Sequence, residues 1–308
     1  MLWMNVADIG GTKTSFAQML DDDIRWVVEV PTPEVKSLRS FGEWMCQQWT
    51  ALAPMNQQIQ PARFIGISTT GVVNPEGISS LNPKTLRWPD PFPLRQAIED
   101  MSGLTTWVLN DAQAAAWAEY QAIKKIHPAT HRMMYVTIST GLGAGLVLDG
   151  QLLQSPKGLA GHAGHMAIQS SGPLCGCGRT GCIESLSSGR ALQEQIHQMG
   201  LELSVQEAYR KRNEPALNEL FKQAAAHIAQ AITNVHALLE LDRVVIGGGL
   251  GLQSDFFQWI CHAIDHQPAW AQVSLLPAVC GRNSCLQGAG NWTRAQLAKA
   301  HTAPIFQK

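Results

Sequence analysis

The sequence contains no long block of basic residues: 23 Lys and Arg stand against 24 Asp and Glu, for a formal net charge of −1. That balance argues against a general polyanion binder, so neither nucleic acid nor an acidic membrane surface is an expected partner. No apolar run approaches membrane-spanning length. The start MLWMNVADIGG is apolar but short, with no basic residue and no small-residue cleavage site, so it reads as a first strand and not as a signal peptide. A disulfide framework is missing too, since four of the seven cysteines, Cys46, Cys261, Cys280 and Cys285, are scattered along the chain. A reducing cytoplasm is the expected location. Charged residues make up only 15% of the 308, whereas 45% are hydrophobic, enough for a substantial core in one large or two ordinary domains.

What is concentrated is the run GHAGHMAIQSSGPLCGCGRTGCIE, which places His165, Cys175, Cys177 and Cys182 within eighteen residues. Glycines at 176, 178 and 181 let the backbone turn tightly around a small centre. One imidazole and three thiols suit a closed tetrahedral Zn²⁺ site of the Cys₃His type, with no position left for a catalytic water. The expected metal is therefore structural. Three reduced cysteines without a metal are the alternative, although apolar packing gives no reason for their spacing.

The first third alternates short β-rich runs with turns: LWMNVADIG, TSFAQML and IRWVVEV, the middle turn being Asp21-Asp22-Asp23. Strands so close in sequence pair as antiparallel hairpins. A helix is expected from Glu34 to about Leu52, with Trp44 and Trp49 on its buried side. FIGIST and TTWVLND then read as buried strands parallel to the first, and AQAAAWAEYQAIKK as a strong helix directly after Asn110-Asp111. At residue 132 the pattern restarts, with RMMYVTIST, GAGLVLDG and QLLQS forming a second strand-turn-strand-turn-strand unit. Helices near 189–198, 203–212 and 214–239, the strand RVVIGGG, a further helix, the strand VSLLPAV and the helix GAGNWTRAQLAKA complete an α/β layout in two domains. The expected division is a smaller domain over 1–120, a larger one over 121–300 and a loose tail over 301–308, with the final helix (about 288–300) free to pack back onto the first domain.

ADIGGTKTS lacks the G-x-x-x-x-G-K-[ST] spacing of a P-loop and continues as a strand, so it reads as a hairpin loop for phosphate. Gly10 and Gly11 let backbone amides approach phosphate oxygens, Thr12 adds a hydroxyl, Lys13 a charge, and Asp8 is expected to hold Mg²⁺ through water. An ordinary Gly-Gly hairpin is the alternative. ISTGLGAG supplies a counterpart in the repeat through Ser139, Thr140, Gly141 and Gly143, and two such loops suit a nucleotide held across an interdomain cleft. VIGGGLGL, with Gly248 and Gly249, suits close passage of a base or ribose, or is simply a strand-to-helix turn. Asn110-Asp111 lies where a strand ends and a helix begins. Both residues are common helix caps, but a carboxylate at that sheet edge can also accept the proton of an attacking hydroxyl. Glu184, two residues after Cys182, is either a surface residue or a ligand contact held rigid by the metal knuckle.

DIGGTK, ND before a helix, STGLGAG, GHxGH and CGCGRTGCIE, in this order, resemble the ROK family of sugar kinases and sugar-responsive repressors, over most of the chain. The resemblance implies the actin/hexokinase (ribonuclease H-like) fold with an interdomain active-site cleft. It also implies ATP, Mg²⁺, a structural Zn²⁺, Asp111 as the catalytic base, and transfer of the γ-phosphoryl to the 6-hydroxyl of a hexose or N-acetylhexosamine. By the same resemblance Asn110, Glu184 and His165 contact the sugar, His165 also binds zinc, and Gly71 and Asn82 fall on sugar-side loops. Only seven residues precede Asp8, so the DNA-binding region of the repressors is not expected. Glucokinase-like members have Glu in the GExGH segment where this chain has His162, so recognition near the anomeric end of the sugar is expected to differ. The GHxGH version resembles the branch that phosphorylates N-acetylmannosamine in sialic acid breakdown, as a homodimer; glucose or N-acetylglucosamine as substrate, or a non-catalytic sugar sensor, remain open alternatives.

Overall fold

The computed structural model describes residues 1–35, 37–51, 60–81 and 88–302. In chain order the first elements are β1 (Trp3–Ile9), β2 (Lys13–Leu20), β3 (Asp23–Pro31), α1 (Leu38–Ala51), β4 (Phe64–Thr69), β5 (Val72–Asn74), β6 (Gly77–Ser79), α2 (Leu94–Ser102), β7 (Thr106–Asn110) and α3 (Asp111–Ile126). Then come β8 (Met133–Ile138), β9 (Leu142–Leu148), β10 (Gln151–Leu152), α4 (Ile183–Ser187), α5 (Gly189–Gln198), α6 (Val205–Arg210) and α7 (Pro215–Leu239). The chain continues through β11 (Arg243–Gly247), α8 (Ser254–Asp265), β12 (Ser274–Pro277) and α9 (Ser284–Thr302). These divide into two compact units, one of residues 1–118, 154–160 and 280–308, the other of 119–153 and 161–279.

In the first unit the sheet runs β3-β2-β1-β4-β7, its first three strands antiparallel and β1, β4 and β7 parallel. Strand alternation sends Ala7, Ile9, Phe16, Ile65 and Ile67 into one core with Phe41, Met45 and Trp49 of α1 and Ile98 of α2. Met4, Val6, Ala17 and Met19 form a second core with Leu286 of α9 on the opposite face. Of the two tryptophans expected on the buried side of α1, Trp49 is buried and donates its indole N–H to the Val6 carbonyl at 3.1 Å, while Trp44 is half-buried.

Close approach of α9 to β4 depends on Gly66. A Cβ there would lie 2.7 Å from both the Ala289 carbonyl oxygen and Thr293 Oγ1. Gly66→Ala is therefore expected to destabilise this unit by about 1–3 kcal/mol, read as a lower thermal midpoint. An unchanged midpoint would mean that the helix can retreat freely.

The second unit repeats the topology: β10-β9-β8-β11-β12, with an antiparallel meander β8-β9-β10 followed by parallel β8, β11 and β12. The restart read at residue 132 is thus a second copy of the same sheet order. Its core joins Met134, Val136 and Ile138 to Phe221, Ile228 and Ile232 along one face of the 25-residue α7. Two boundaries differ from the sequence reading. The helix expected from Glu34 begins at Leu38, and α9 begins at Ser284, four residues before the expected start. The short α4, directly after the cysteine segment, had no periodic signal because five residues complete little more than one turn.

Candidate active site

Asp8 lies near the end of β1, and its Oδ1 accepts a hydrogen bond from Ser68 Oγ of β4 at 2.7 Å. Register explains the meeting, because Asp8 and Ser68 are partners in the parallel ladder. Asn110 ends β7, and its Oδ1 accepts from the backbone N–H groups of Ala112 and Gln113 at 3.0 and 3.2 Å. That is helix capping in full, performed by Asn110. The neighbouring Asp111 keeps its carboxylate at the first turn, where Oδ1 accepts from Asn110 Nδ2 at 2.9 Å and from Ala112 N–H at 2.8 Å. Asn110 Nδ2 also donates to the Gly71 carbonyl at 3.0 Å. Gly71 reaches this position with φ +99°, in the left-handed region that favours glycine.

Burial raises the Asp8 carboxyl to about 6, against the opposing hydrogen bond from Ser68. Asp111 is pushed up to about 7, first by burial and then by the charge of Asp8, with the bonds from Ala112 and Asn110 opposing. Two adjacent carboxyls raised toward neutrality are the kind of arrangement that can accept a proton or hold a cation. Sequence reasoning missed two of their neighbours. Ser68 sits inside a strand that reads only as buried β, and the Cys285 thiol bonds the Asp111 carbonyl at 3.5 Å, its own ionisation opposed by burial and by both carboxylates. No local sequence signal marks either residue, since each is brought there by the fold.

The loop after β1 is a tight turn closed by Gly10 N–H on the Lys13 carbonyl at 2.9 Å and braced by Thr32, whose hydroxyl donates to the Gly10 carbonyl at 2.8 Å. Gly11 and Thr12 are exposed at its tip. Lys13 forms an exposed ion pair with Glu29 at 2.7 Å. Asn82 lies outside the described residues.

In the second unit Ser139 and Thr140 are exposed at the end of β8, and their carbonyls accept from Gly189 and Arg190 N–H at 2.8 and 3.0 Å. This ties the turn to the start of α5. Gly248 takes φ +84°, and a Cβ there would meet the Ile138 carbonyl oxygen at 2.3 Å, whereas Gly249 faces open space. A cavity of about 920 Å³ adjoins these segments, lined by Ser139, Thr140, Arg190, Arg210, Gly249 and Gln253 among others. Gly141 directly precedes β9, Gly143 lies within it, and Glu184 Oε2 accepts from Leu142 N–H at 3.4 Å.

His165, Cys175, Cys177 and Cys182 bring their ligand atoms within 4.8 Å of one another. A tetrahedron with metal–sulfur bonds of about 2.3 Å and a metal–nitrogen bond of about 2.0 Å has S–S edges of roughly 3.8 Å and N–S edges of roughly 3.5 Å. Cys177 and Cys182 sulfurs lie 3.8 Å apart, and Cys175 Sγ lies 3.6 Å from His165 Nδ1. The donor set fits Zn²⁺ in both chemistry and size. The His162 and His165 rings lie 6.4 Å apart and nearly parallel, so the same segment presents a second imidazole.

A paired-sheet α/β architecture with two poised carboxyls defines a phosphotransferase-like molecule of the actin-like sugar kinase fold, and solved structures agree. The ROK hexokinase from Thermus thermophilus superimposes with a TM-score of 0.80 at 25% identity, covering 97% of this chain and 100% of that one. A ROK family glucokinase from Streptomyces griseus, in complex with glucose and AMPPNP, gives 0.74 at 25% identity, covering 95% and 99%. In sequence, the N-acetylmannosamine kinase of Vibrio cholerae serotype O1 is 38% identical over 288 residues, 92% of this chain and 96% of the relative. The ROK family model matches residues 6–296, and the chain belongs to the ROK family.

Proposed function

We propose that this protein is an ATP-dependent kinase that converts N-acetylmannosamine to N-acetylmannosamine 6-phosphate in sialic acid breakdown. The observation that carries the chemistry is Asp111, next to the Asn110 cap and raised to about 7 by burial and by Asp8. The similarity to N-acetylmannosamine kinases supports the substrate. With Asp111 Oδ1 already accepting two hydrogen bonds, the remaining acceptor capacity of the carboxylate takes the proton of the sugar 6-hydroxyl. The hydroxyl oxygen then forms its bond to the γ-phosphorus of ATP as the bond to the ADP oxygen breaks, and Asp111 later returns the proton to solvent.

The Gly10–Lys13 turn and the Ser139–Gly141 turn are assigned to the phosphates, and the 920 Å³ cavity with Gly248 and Gly249 to the adenosine. Mg²⁺ would neutralise phosphate charge, and Asp8, whose carboxylate accepts from Ser68 and lies beside Asp111, is assigned to hold it. Asn110, Gly71, His162, His165 and Glu184 are assigned to the sugar, and Zn²⁺ at the Cys₃His set orders the segment carrying the last three. A homodimer in the cytoplasm completes the proposal.

A coupled ADP-release assay with N-acetylmannosamine, N-acetylglucosamine and glucose side by side tests the substrate. The highest kcat/KM is expected for N-acetylmannosamine. Preference for glucose would overturn the substrate, and sugar binding without ADP release would overturn the enzyme.

The Asp111 base must be ionised to work, so kcat/KM is expected to rise with pH through about 7 and level above it. A profile flat between pH 5 and 8 would contradict the raised carboxyl.

A further inference from the structure

The first unit holds a second cavity, of about 550 Å³, that none of the residues assigned to phosphate transfer lines. It follows the outer edge of β7 and is closed by the β5–β6 hairpin, the start of α2, the segment 154–156 and α9. Its volume lies within the roughly 300–1,000 Å³ range of small-molecule sites.

Its lining is rich in amides and carries a slight excess of negative charge. Trp107, half-buried, and the buried Trp292 are both among the lining residues, and Trp107 adds apolar surface of the kind that packs against a sugar ring. Asn74 commits its Oδ1 to the N–H groups of Glu76 and Gly77 at 2.9 and 3.2 Å, which leaves its amide N–H₂ available. Gln296, one turn beyond Trp292 on the same face of α9, has its Nε2 buried without a hydrogen-bond partner. Such a donor costs free energy until an acceptor reaches it, and rotation of its terminal torsion would turn it toward an occupant. Gln96 and Gln154 extend the amide lining at the exposed rim.

Charge and backbone exclude the other small occupants. Glu76 and Glu99 outnumber Arg95, which faces Glu99 at 3.9 Å, so the lining is net negative and repels phosphate or carboxylate. The free edge of β7 would invite an added peptide strand, but the Thr106 N–H is already taken by Glu99 Oε1 at 2.8 Å. An uncharged polyhydroxylated molecule suits what remains: its hydroxyl oxygens can accept from the amides, its hydroxyl hydrogens can donate to Glu76, and its ring carbons can pack on Trp107.

We propose that this cavity is a binding site for a neutral mono- or disaccharide, separate from the site of phosphoryl transfer. It does not depend on the identity of the phosphorylated sugar.

The test uses the full chain, with N-acetylmannosamine and sucrose as neutral probes and glucose 6-phosphate as the anionic one, in equilibrium dialysis with turnover measured in parallel. At least one neutral probe is expected to bind at a second site per chain, and glucose 6-phosphate not to displace it. Gln154→Trp, and separately Gln96→Trp, fill the rim from exposed positions and are expected to weaken that second binding at least tenfold while kcat stays unchanged. Loss of kcat together with all sugar binding would instead report on the phosphorylation site. No second site for either neutral probe, equal displacement by glucose 6-phosphate, or second-site binding untouched in both variants would overturn the proposal.

Discussion

Asp111→Asn is expected to fold as the parent protein does and to lose about 10²–10⁴-fold in kcat, with sugar binding retained. The substitution keeps an oxygen for Ala112 N–H and the size of the side chain but removes the carboxylate proposed to take the hydroxyl proton. Stability gives an independent readout. The Asp111 pKa is raised on folding from 3.8 to about 7, so the folded chain binds more protons than the unfolded chain between those values. The contribution of this group to stability is fully present below 3.8 and is lost as pH rises through about 7. The Asn variant escapes that loss, so its thermal midpoint relative to the parent should increase from pH 4 to pH 8. Substantial retained turnover would remove Asp111 as the base, and a midpoint difference independent of pH would remove the buried carboxyl from the account.

Cys177→Ser is expected to lose the metal and, with it, roughly 10 °C of thermal midpoint in the second unit. Burial first, and then the neighbouring sulfurs, push the Cys182 thiol up to about 12, and burial also raises that of Cys175. Against burial, hydrogen bonds together with the Arg179 charge lower that of Cys177. A divalent cation held by His165, Cys175, Cys177 and Cys182 would neutralise the thiolates and tie together four side chains in a segment with little regular structure of its own. Cys261→Ser, on α8 and outside the cluster, is the control and should change neither metal content nor midpoint. One zinc per chain in Cys177→Ser at unchanged midpoint would contradict the ligand set.

How far the sequence foretold this molecule depended on how local each signal was. The Cys₃His run, the Gly-Gly turn after β1 and the strand-to-helix junction at Asn110-Asp111 are each contained in one short segment, so composition and spacing reveal them. The junction held two readings, and the structure divides them between adjacent residues: Asn110 caps α3 while Asp111 keeps an ionisable group beside Asp8. Ser68 and Cys285 come from β4 and α9, more than fifty residues from Asp8 and Asp111 respectively in sequence, and only sheet register and helix packing bring them in. Lys13 shows the same limit from the other side. Its sequence context suggests a free charge for phosphate, but the β2–β3 ladder places Glu29 within 2.7 Å of it. The repeated start at residue 132 was legible because each copy begins with a meander of consecutive strands, whereas the shared sheet order comes from the fold.

The most direct test of the central claim is ³¹P NMR of the purified, zinc-replete protein with Mg²⁺, ATP and N-acetylmannosamine. The account predicts loss of the ATP γ-phosphate signal, formation of ADP, and one phosphomonoester resonance coupled to the C6 protons of the sugar. ATP consumed only to inorganic phosphate, or a phosphoryl group on any other sugar carbon, would contradict it.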